Sequence, residues 1–171
     1  MVTMTNEPFP VLYILMRDDL VTMNPGKAMA QASHASNAFI KTMLDRGMSH
    51  DEKGDYDDID ELGKIWAHET TQGFGTVLTL AVNEEQMRSA VKVAKAVGFT
   101  AEIIHDPSYP MLIPTDLGKI LYTIHNEAGS TFEVGENFNY LTVHMDTCAY
   151  IFGDKNDPLL ASIVGRFPLH P

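Results

Sequence analysis

The stretch VLYILMRDDLVTMNPGKAMAQASHASNAF, residues 11–39, places a strand signal directly before a helix signal. Val11–Arg17 is a continuous apolar run that ends on a charge, which is typical of a strand covered on both faces of a sheet. The helix is predicted to begin after Asn24, which can cap it, and Pro25 suits the first helical position because no amide donor is needed there. Gly47 marks the end of this helix. A strand followed at once by a helix predicts an α/β fold.

The same alternation continues along the chain. Further strands are predicted at Thr76–Val82, Ala101–Asp106 and Thr147–Asp154. A second helix is predicted at Ile59–Trp66, and a third begins at the Asn83–Gln86 capping box and stops at Gly98. A short last helix is predicted between the Asp157 cap, with Pro158 at its start, and Gly165. From Pro107 the regularity fades, and LGKILYTI, residues 117–124, fits either a strand or a helix. We therefore predict a three-layer α/β/α fold with a mixed, mostly parallel sheet of about four strands and an insertion before the last strand.

The composition is that of an ordinary soluble globular protein. The chain has 171 residues, of which 44% are hydrophobic, so we expect one domain over residues 1–171. No apolar run approaches the roughly 20 residues that cross a membrane, and the N-terminus lacks the pattern of a signal peptide. The single cysteine, Cys148, fits a reducing compartment. The expected location is the cytoplasm, without membrane association.

The charge distribution excludes some functions and leaves others open. A formal net charge of −11 argues against a general nucleic-acid coat protein, because nonspecific binding to a polyanion depends on lysines and arginines. Local contact with phosphate elsewhere stays open. Residues 45–61, DRGMSHDEKGDYDDIDE, hold eight acidic residues, but their spacing matches neither a calcium loop nor a zinc motif. We interpret this segment as a solvated loop and predict no metal site.

Three polar side chains share one face of the first predicted helix. Lys27, Gln31 and His34 fall within about 60° of each other on a helical wheel. The apolar stripe that would pack on the sheet lies beside them and contains Ala28, Ala32, Ala35, Phe39 and Met43. On this pattern alone, a solvated helix face fits better than a site. Two features favour a site: the alanines allow close approach, and Lys27 lies in the first turn, where a cation is electrostatically disfavoured.

Several charged residues follow the predicted strands. Arg17 and Asp19 lie just after the first strand, and Asp106 ends the third. Open α/β sheets bind ligands beyond the carboxyl ends of their strands. If the first and third strands are parallel and adjacent, these groups and Lys27 converge on one edge. His105 points either into this region or to the opposite face, because neighbouring strand residues alternate.

The sequence resembles the type 2 peptidyl-tRNA hydrolases. The resemblance rests on Arg17-Asp18-Asp19-Leu20 and on GKAMAQASHA, Gly26–Ala35, and it continues to Asp106 and through TCAYIFG as the family's final strand. The family typically continues its aspartate as Asp-Ala-Gly-x-Thr, whereas this chain has Asp106-Pro107-Ser108-Tyr109-Pro110. Residues from about 107 to 146 therefore form a divergent insertion, and residues 155–171 form a C-terminal extension.

The resemblance implies hydrolysis of the ester that joins a peptide, or an N-blocked aminoacyl group, to the 3′ end of tRNA. No metal or organic cofactor is implied, and a homodimer is expected. The implied catalytic residues are Lys27, Gln31, His34, Asp106 and Thr147. We also expect Arg17, Asp19 and Lys27 to bind the substrate, which is peptidyl-tRNA with its 3′ end and terminal phosphate.

The implied residues suggest a mechanism with an activated water. Asp106 would orient or deprotonate the water, alone or with His34, while Lys27 would stabilise the tetrahedral intermediate or contact the terminal phosphate. Gln31 and Thr147 would position the carbonyl group or the water.

The sequence bears on one alternative mechanism and on one alternative function. A nucleophilic mechanism is disfavoured because Cys148 lies in an apolar strand and no serine lies in a Gly-x-Ser-x-Gly turn. The alternative from another class is a noncatalytic protein that uses the same scaffold to bind tRNA, another nucleotide or a protein.

Overall fold

The computed structural model describes residues 7–48, 58–70, 72–112 and 140–171. Its elements in chain order are strand β1 (Pro10–Arg17), helix α1 (Pro25–Met48), helix α2 (Asp58–Lys64) with the π-helical turn Ile65–Glu69, strand β2 (Thr76–Val82), helix α3 (Glu84–Ala96), strand β3 (Thr100–Leu112), strand β4 (Tyr140–Asp154) and helix α4 (Pro158–Val164). Within these residues, no helix is both long and apolar enough to cross a membrane. The central residues of the acidic segment and the motif LGKILYTI lie outside the described residues.

The four strands form one mixed sheet in the order β2-β1-β4-β3. β1 pairs with β2 in parallel, and β4 is antiparallel to both β1 and β3. The predicted mixed sheet of about four strands is confirmed: three strands share one direction, although two of the three strand pairs are antiparallel. The adjacency of β1 and β3, which was the condition for convergence at one edge, is absent because the antiparallel β4 lies between them. The two strands nevertheless run parallel, so their carboxyl ends point the same way.

Helices cover both faces of the sheet, which confirms the three predicted layers. Alternate residues of β1 face opposite cores: Leu12, Ile14 and Met16 pack beneath α1, whereas Val11, Tyr13 and Leu15 pack with α3 and α4. The predicted apolar stripe of α1 forms its buried face, on which Ala28, Ala35 and Phe39 are fully or almost fully buried and Ala32 and Met43 are partly buried. Because the alanines are small, α1 can lie close to the sheet.

The predicted helix starts are also confirmed by hydrogen bonds, whereas the end predicted at Gly47 is wrong because α1 continues through Gly47 to Met48. Asn24 Oδ1 accepts from the Lys27 amide at 3.0 Å, which caps α1. Asn83 and Gln86 form the reciprocal capping box at the start of α3. Asp157 Oδ1 accepts from the first amides of α4, at 2.7 Å from Leu159.

β3 and β4 are longer than the sequence predicts. Pro107 and Pro110 do not end β3, and the expected loss of regularity at Pro107 is wrong for residues 107–112. The physical reason is that β3 lies at the edge of the sheet, where a residue without an amide donor can face away from the neighbouring strand. β4 likewise begins seven residues before the predicted start at Thr147.

The C-terminal segment joins the sheet at its other edge. The Ala81 amide donates to the Pro168 carbonyl at 2.8 Å, and the His170 amide donates to the Thr79 carbonyl at 2.9 Å. These bonds flank an antiparallel bridge between Leu80 and Leu169. The tail therefore pairs with the free side of β2, a role that the sequence did not predict for the extension.

Candidate active site

Gln31 lies at the centre of a hydrogen-bonded chain between α1 and the β3–β4 ribbon. The Thr147 hydroxyl donates to Gln31 Oε1 at 2.6 Å, and Gln31 Nε2 donates to Asp106 Oδ2 at 2.5 Å. Gln31 is 4% exposed and Thr147 is 0% exposed. Because an amide oxygen can only accept and the amide nitrogen can only donate, the Thr147 hydroxyl fixes the orientation in which Gln31 donates to the carboxylate. Gln31 and Thr147, which are far apart in the sequence, thus together orient the carboxyl group of Asp106.

A β-bulge places Thr147 on the helix side. Ile104 pairs with Cys148 and His105 pairs with Asp146, so Thr147 is an extra residue in β4. Thr147 and Cys148 consequently both face α1, although consecutive residues of a regular strand face opposite sides. The Cys148 thiol lies 3.3 Å from the Gln31 carbonyl oxygen. Burial raises the pKa of Cys148 to about 12, which agrees with an inert structural thiol.

A second bulge lies in β3 directly after Asp106. Asp106 pairs with Met145 and Tyr109 pairs with Val143, so β3 has one extra residue between these pairs. The Ser108 amide in the bulge donates to Asp106 Oδ1 at 2.8 Å. The Ser108 hydroxyl also donates to Oδ1, at 3.4 Å, so Oδ1 accepts two bonds from the strand and Oδ2 accepts one from the helix. The half-buried carboxylate is held in one orientation.

Lys27 lies one helical turn before Gln31 and contacts the same strand further along. Its Nζ donates to the Pro110 carbonyl at 2.8 Å and lies 5.0 Å from the centre of the Tyr109 ring. Two successive turns of α1 therefore lie along β3 between Asp106 and Pro110. Lys27 and Gln31 therefore both contact β3, Lys27 at Pro110 and Gln31 at Asp106.

His34 shares the helix face but is not part of this group. Its side chain is exposed, and within the part of the chain that the structure describes it has no hydrogen-bond partner. It lies on the turn after Gln31. The predicted cooperation of His34 with Asp106 has no contact in the structure and stays a prediction.

Arg17 and Asp19 form a separate, internal ion pair. Arg17 is 6% exposed, and its Nε and Nη2 donate to the two oxygens of Asp19 at 2.8 and 2.9 Å. Arg17 Nη1 donates to the Asp146 carbonyl at 3.1 Å and lies 3.0 Å from Glu84 Oε2. The hydrogen bond from Arg17 holds the pKa of Asp19 below its ordinary value. Substrate binding by this pair stays a prediction, since every nitrogen of the guanidinium already has an acceptor within the protein.

His105 points to the face opposite Gln31. Its Nδ1 lies 2.8 Å from Asp146 Oδ1, and Arg88 of α3 lies 2.5 Å from Asp146 Oδ2. Asp146 thus joins β4, β3 and α3 immediately before the bulge at Thr147. Sequence reasoning missed Asp146 and Tyr109 because neither lies in a recognisable motif, and their positions depend on bulges that no residue pattern indicated.

Among the described residues, no three His, Cys, Asp or Glu side chains are placed so that they could share a metal ion. Most of the acidic segment lies outside these residues.

The fold and the amide–carboxylate group define a small α/β protein whose candidate site lies between the first helix and the far edge of the sheet. The sequence model of the family "Peptidyl-tRNA hydrolase PTH2" matches residues 10–117, which is more than half of the chain. The chain therefore belongs to the peptidyl-tRNA hydrolase PTH2 family, as the sequence resemblance indicated. The matched region contains Lys27, Gln31, His34 and Asp106, whereas Thr147 lies beyond it. The comparison with curated proteins found no match.

Proposed function

We propose that this protein hydrolyses the ester between a peptide, or an N-blocked aminoacyl group, and the 3′ ribose of tRNA by means of an activated water and without a metal ion. Family membership supports peptidyl-tRNA hydrolysis in general. The observation that supports this chain's own activity is the hydrogen-bonded sequence from Thr147 through Gln31 to Asp106, with Lys27 on the neighbouring turn. A carboxylate, an amide and an ammonium group together can supply the parts that ester hydrolysis needs.

Asp106 is the residue that we propose to act on the water. A carboxylate has about four acceptor positions, of which the Ser108 amide and hydroxyl occupy two on Oδ1 and the Gln31 amide occupies one on Oδ2. A position on Oδ2 therefore remains for a water molecule, whose oxygen would attack the ester carbonyl. His34, exposed on the next turn of α1, would assist proton transfer once the substrate is bound, because catalytic contacts often form only in the complex.

Lys27 is the proposed source of positive charge. Its ammonium has three donors, and the Pro110 carbonyl takes one. The other donors would stabilise the oxyanion of the tetrahedral intermediate or bind the terminal phosphate of the tRNA. A cation in the first turn destabilises a helix, and either of these roles would explain why Lys27 lies there.

The remaining features belong to the same proposal. We propose a single domain that acts in the cytoplasm, needs no cofactor, and forms a homodimer.

Hydrolysis of N-acetyl-aminoacyl-tRNA tests this function directly. Lys27→Met and Asp106→Asn should each lower kcat/KM about 100-fold or more, because each removes a charge or a base from the reacting centre. Lys41→Met and Asp45→Asn are matched controls, since these residues form an exposed ion pair at 2.8 Å further along α1. The controls should retain full activity, and a chelating agent should leave the rate unchanged.

The same assay separates the two classes of function. Ester release no greater than that of the Lys27→Met, Asp106→Asn double variant would exclude the hydrolase. Tight binding of the tRNA without turnover would instead favour the noncatalytic binding protein.

A further inference from the structure

We propose that Tyr109 is a positioning residue whose ring holds the Lys27 ammonium in place over β3, so that Tyr109 affects the reaction only through Lys27. This inference rests on the proposed function for its kinetic consequence. The contact between the two residues is independent of that function and can be tested alone.

The Lys27 ammonium is held by two adjacent residues of β3. It lies 5.0 Å from the centre of the Tyr109 ring and 2.8 Å from the Pro110 carbonyl oxygen. The face of an aromatic ring carries negative electrostatic potential and attracts a cation, more strongly where water is excluded. Both partners therefore attract the same ammonium group, and together they restrict a side chain that would otherwise be flexible.

The Tyr109 ring is itself fixed. The residue is 0% exposed, and its hydroxyl accepts from the Thr22 hydroxyl at 3.1 Å, while Thr22 is 8% exposed. Thr22 belongs to the loop between β1 and α1, three residues before Pro25. The ring thus connects β3 to the segment that leads into the first turn of α1. Burial also raises the pKa of Tyr109, so its hydroxyl stays neutral over the working range of an enzyme.

The bulge after Asp106 explains why this contact exists. Asp106 and Tyr109 are three residues apart, and in a regular strand they would face opposite sides of the ribbon. The extra residue between them brings both to the side of α1. One bulge therefore places both Asp106, the proposed water-activating carboxylate, and Tyr109, which contacts the Lys27 ammonium, on the side of β3 that faces α1.

A preorganised charge is worth more to a reaction than a mobile one, because it does not have to be ordered when the transition state forms. Tyr109→Leu should leave Lys27 charged but less confined. We expect kcat to fall about tenfold, which lies within the range of a buried cation–π contact. Tyr109→Phe keeps the ring and removes only the hydroxyl, with its bonds to Thr22 and to the Met23 sulfur, so its kcat should stay within about threefold of the wild type.

The kinetic test is a double-mutant cycle. Tyr109→Leu is measured in the wild-type and the Lys27→Met backgrounds, with each rate corrected for the folded fraction from urea unfolding. The expected result is a loss in the wild-type background and none in the Lys27→Met background. An equal loss in both backgrounds would overturn the inference, because Tyr109 would then act by another route. Tyr150→Leu, at a buried tyrosine bonded to Thr42, controls for lost packing and should leave the corrected kcat unchanged.

A spectroscopic test separates this inference from the proposed function. Protons of Lys27 next to Nζ lie above the Tyr109 ring, so their NMR signals should be shifted upfield in the wild type and in Tyr109→Phe. The shift should be lost in Tyr109→Leu. A Lys27 signal at the ordinary lysine position in the folded wild type would overturn the contact, whatever the activity. Absence of hydrolysis with the upfield shift present would exclude the proposed function and leave the hold of Tyr109 on Lys27 standing.

Discussion

Replacing Thr147 with valine removes one hydroxyl group and keeps the shape of the side chain. That hydroxyl donates to Gln31 Oε1 at 2.6 Å, in a region where both residues are buried. The structure gives Oε1 no other donor within the described residues. Thr147→Val should therefore leave a buried acceptor without a partner, which costs about 1–3 kcal/mol.

The cost can be expressed in two measurable ways. If Gln31 keeps its position, the free energy of unfolding falls by about 1–3 kcal/mol and kcat changes little. If the amide turns or swings out to satisfy its oxygen, Asp106 loses the donor on Oδ2. The same energy then appears as a fall in kcat of about 5- to 150-fold. KM should change little in either case, because these groups belong to the proposed reacting centre and not to the surface that would bind the body of the tRNA.

Single-turnover hydrolysis of N-acetyl-aminoacyl-tRNA and urea unfolding on the same preparations measure both quantities. Thr147→Ser retains the hydroxyl and should behave nearly as the wild type. Thr42→Val is the matched control, since Thr42 of α1 also shares a hydrogen bond with a buried residue of β4, Tyr150, at 2.9 Å but is not bonded to Asp106 or Gln31. If Thr147→Val kept both the wild-type kcat and the wild-type unfolding free energy, the proposed chain from Thr147 to Asp106 would be refuted.

Three further predictions concern the rest of the molecule. With its pKa raised to about 12 by burial, Cys148 should not react with a thiol reagent at pH 8 until urea unfolds the protein, and a rapid reaction in the native state would contradict its burial. The pKa of Asp19 is lowered by Arg17, so its contribution to stability is present above the ordinary carboxyl pKa and lost as the pH falls through the lowered value. The difference in unfolding free energy between wild type and Asp19→Asn should therefore shrink below about pH 4, whereas a constant difference would exclude this linkage. Deleting residues 167–171 exposes the edge of β2 and removes the buried Phe167. The unfolding free energy should therefore fall by at least about 2 kcal/mol, and light scattering should rise as exposed edges associate. An unchanged midpoint of urea unfolding would show that the tail does not stabilise the fold.

The parts of the fold that the sequence predicted are those set by local chemistry. The apolar run of β1 is buried on both faces, and the caps at Asn24, Asn83 and Asp157 all accept the expected amides. The helical period placed Lys27 and Gln31 on one face of α1, and the structure shows that this face meets β3. Each of these features depends on a few neighbouring residues, so a single sequence carries enough information to predict it.

The parts that could not be predicted depend on pairing between distant residues. Nothing near Asp106 indicates that β4 would lie between β1 and β3, or that Pro107 and Pro110 would continue an edge strand. The contacts of Arg17 within the protein also could not be predicted, because its partners Glu84 and the Asp146 carbonyl come from α3 and β4. Sequence reasoning treated Arg17 as a ligand group since its neighbours were unknown.

The two bulges have a common consequence for the candidate site. A ribbon with strict alternation would turn Thr147 away from Gln31 while Cys148 faced it, and would turn Tyr109 away from Lys27 while Asp106 faced Gln31. Each strand instead carries one extra residue, at Thr147 in β4 and between Asp106 and Tyr109 in β3. Each bulge therefore adds one side chain to the face that meets α1, and each added side chain contacts a polar residue of that helix. A regular helix face, which the sequence alone predicts, is completed by strand irregularities, which become visible only when the two strands are paired.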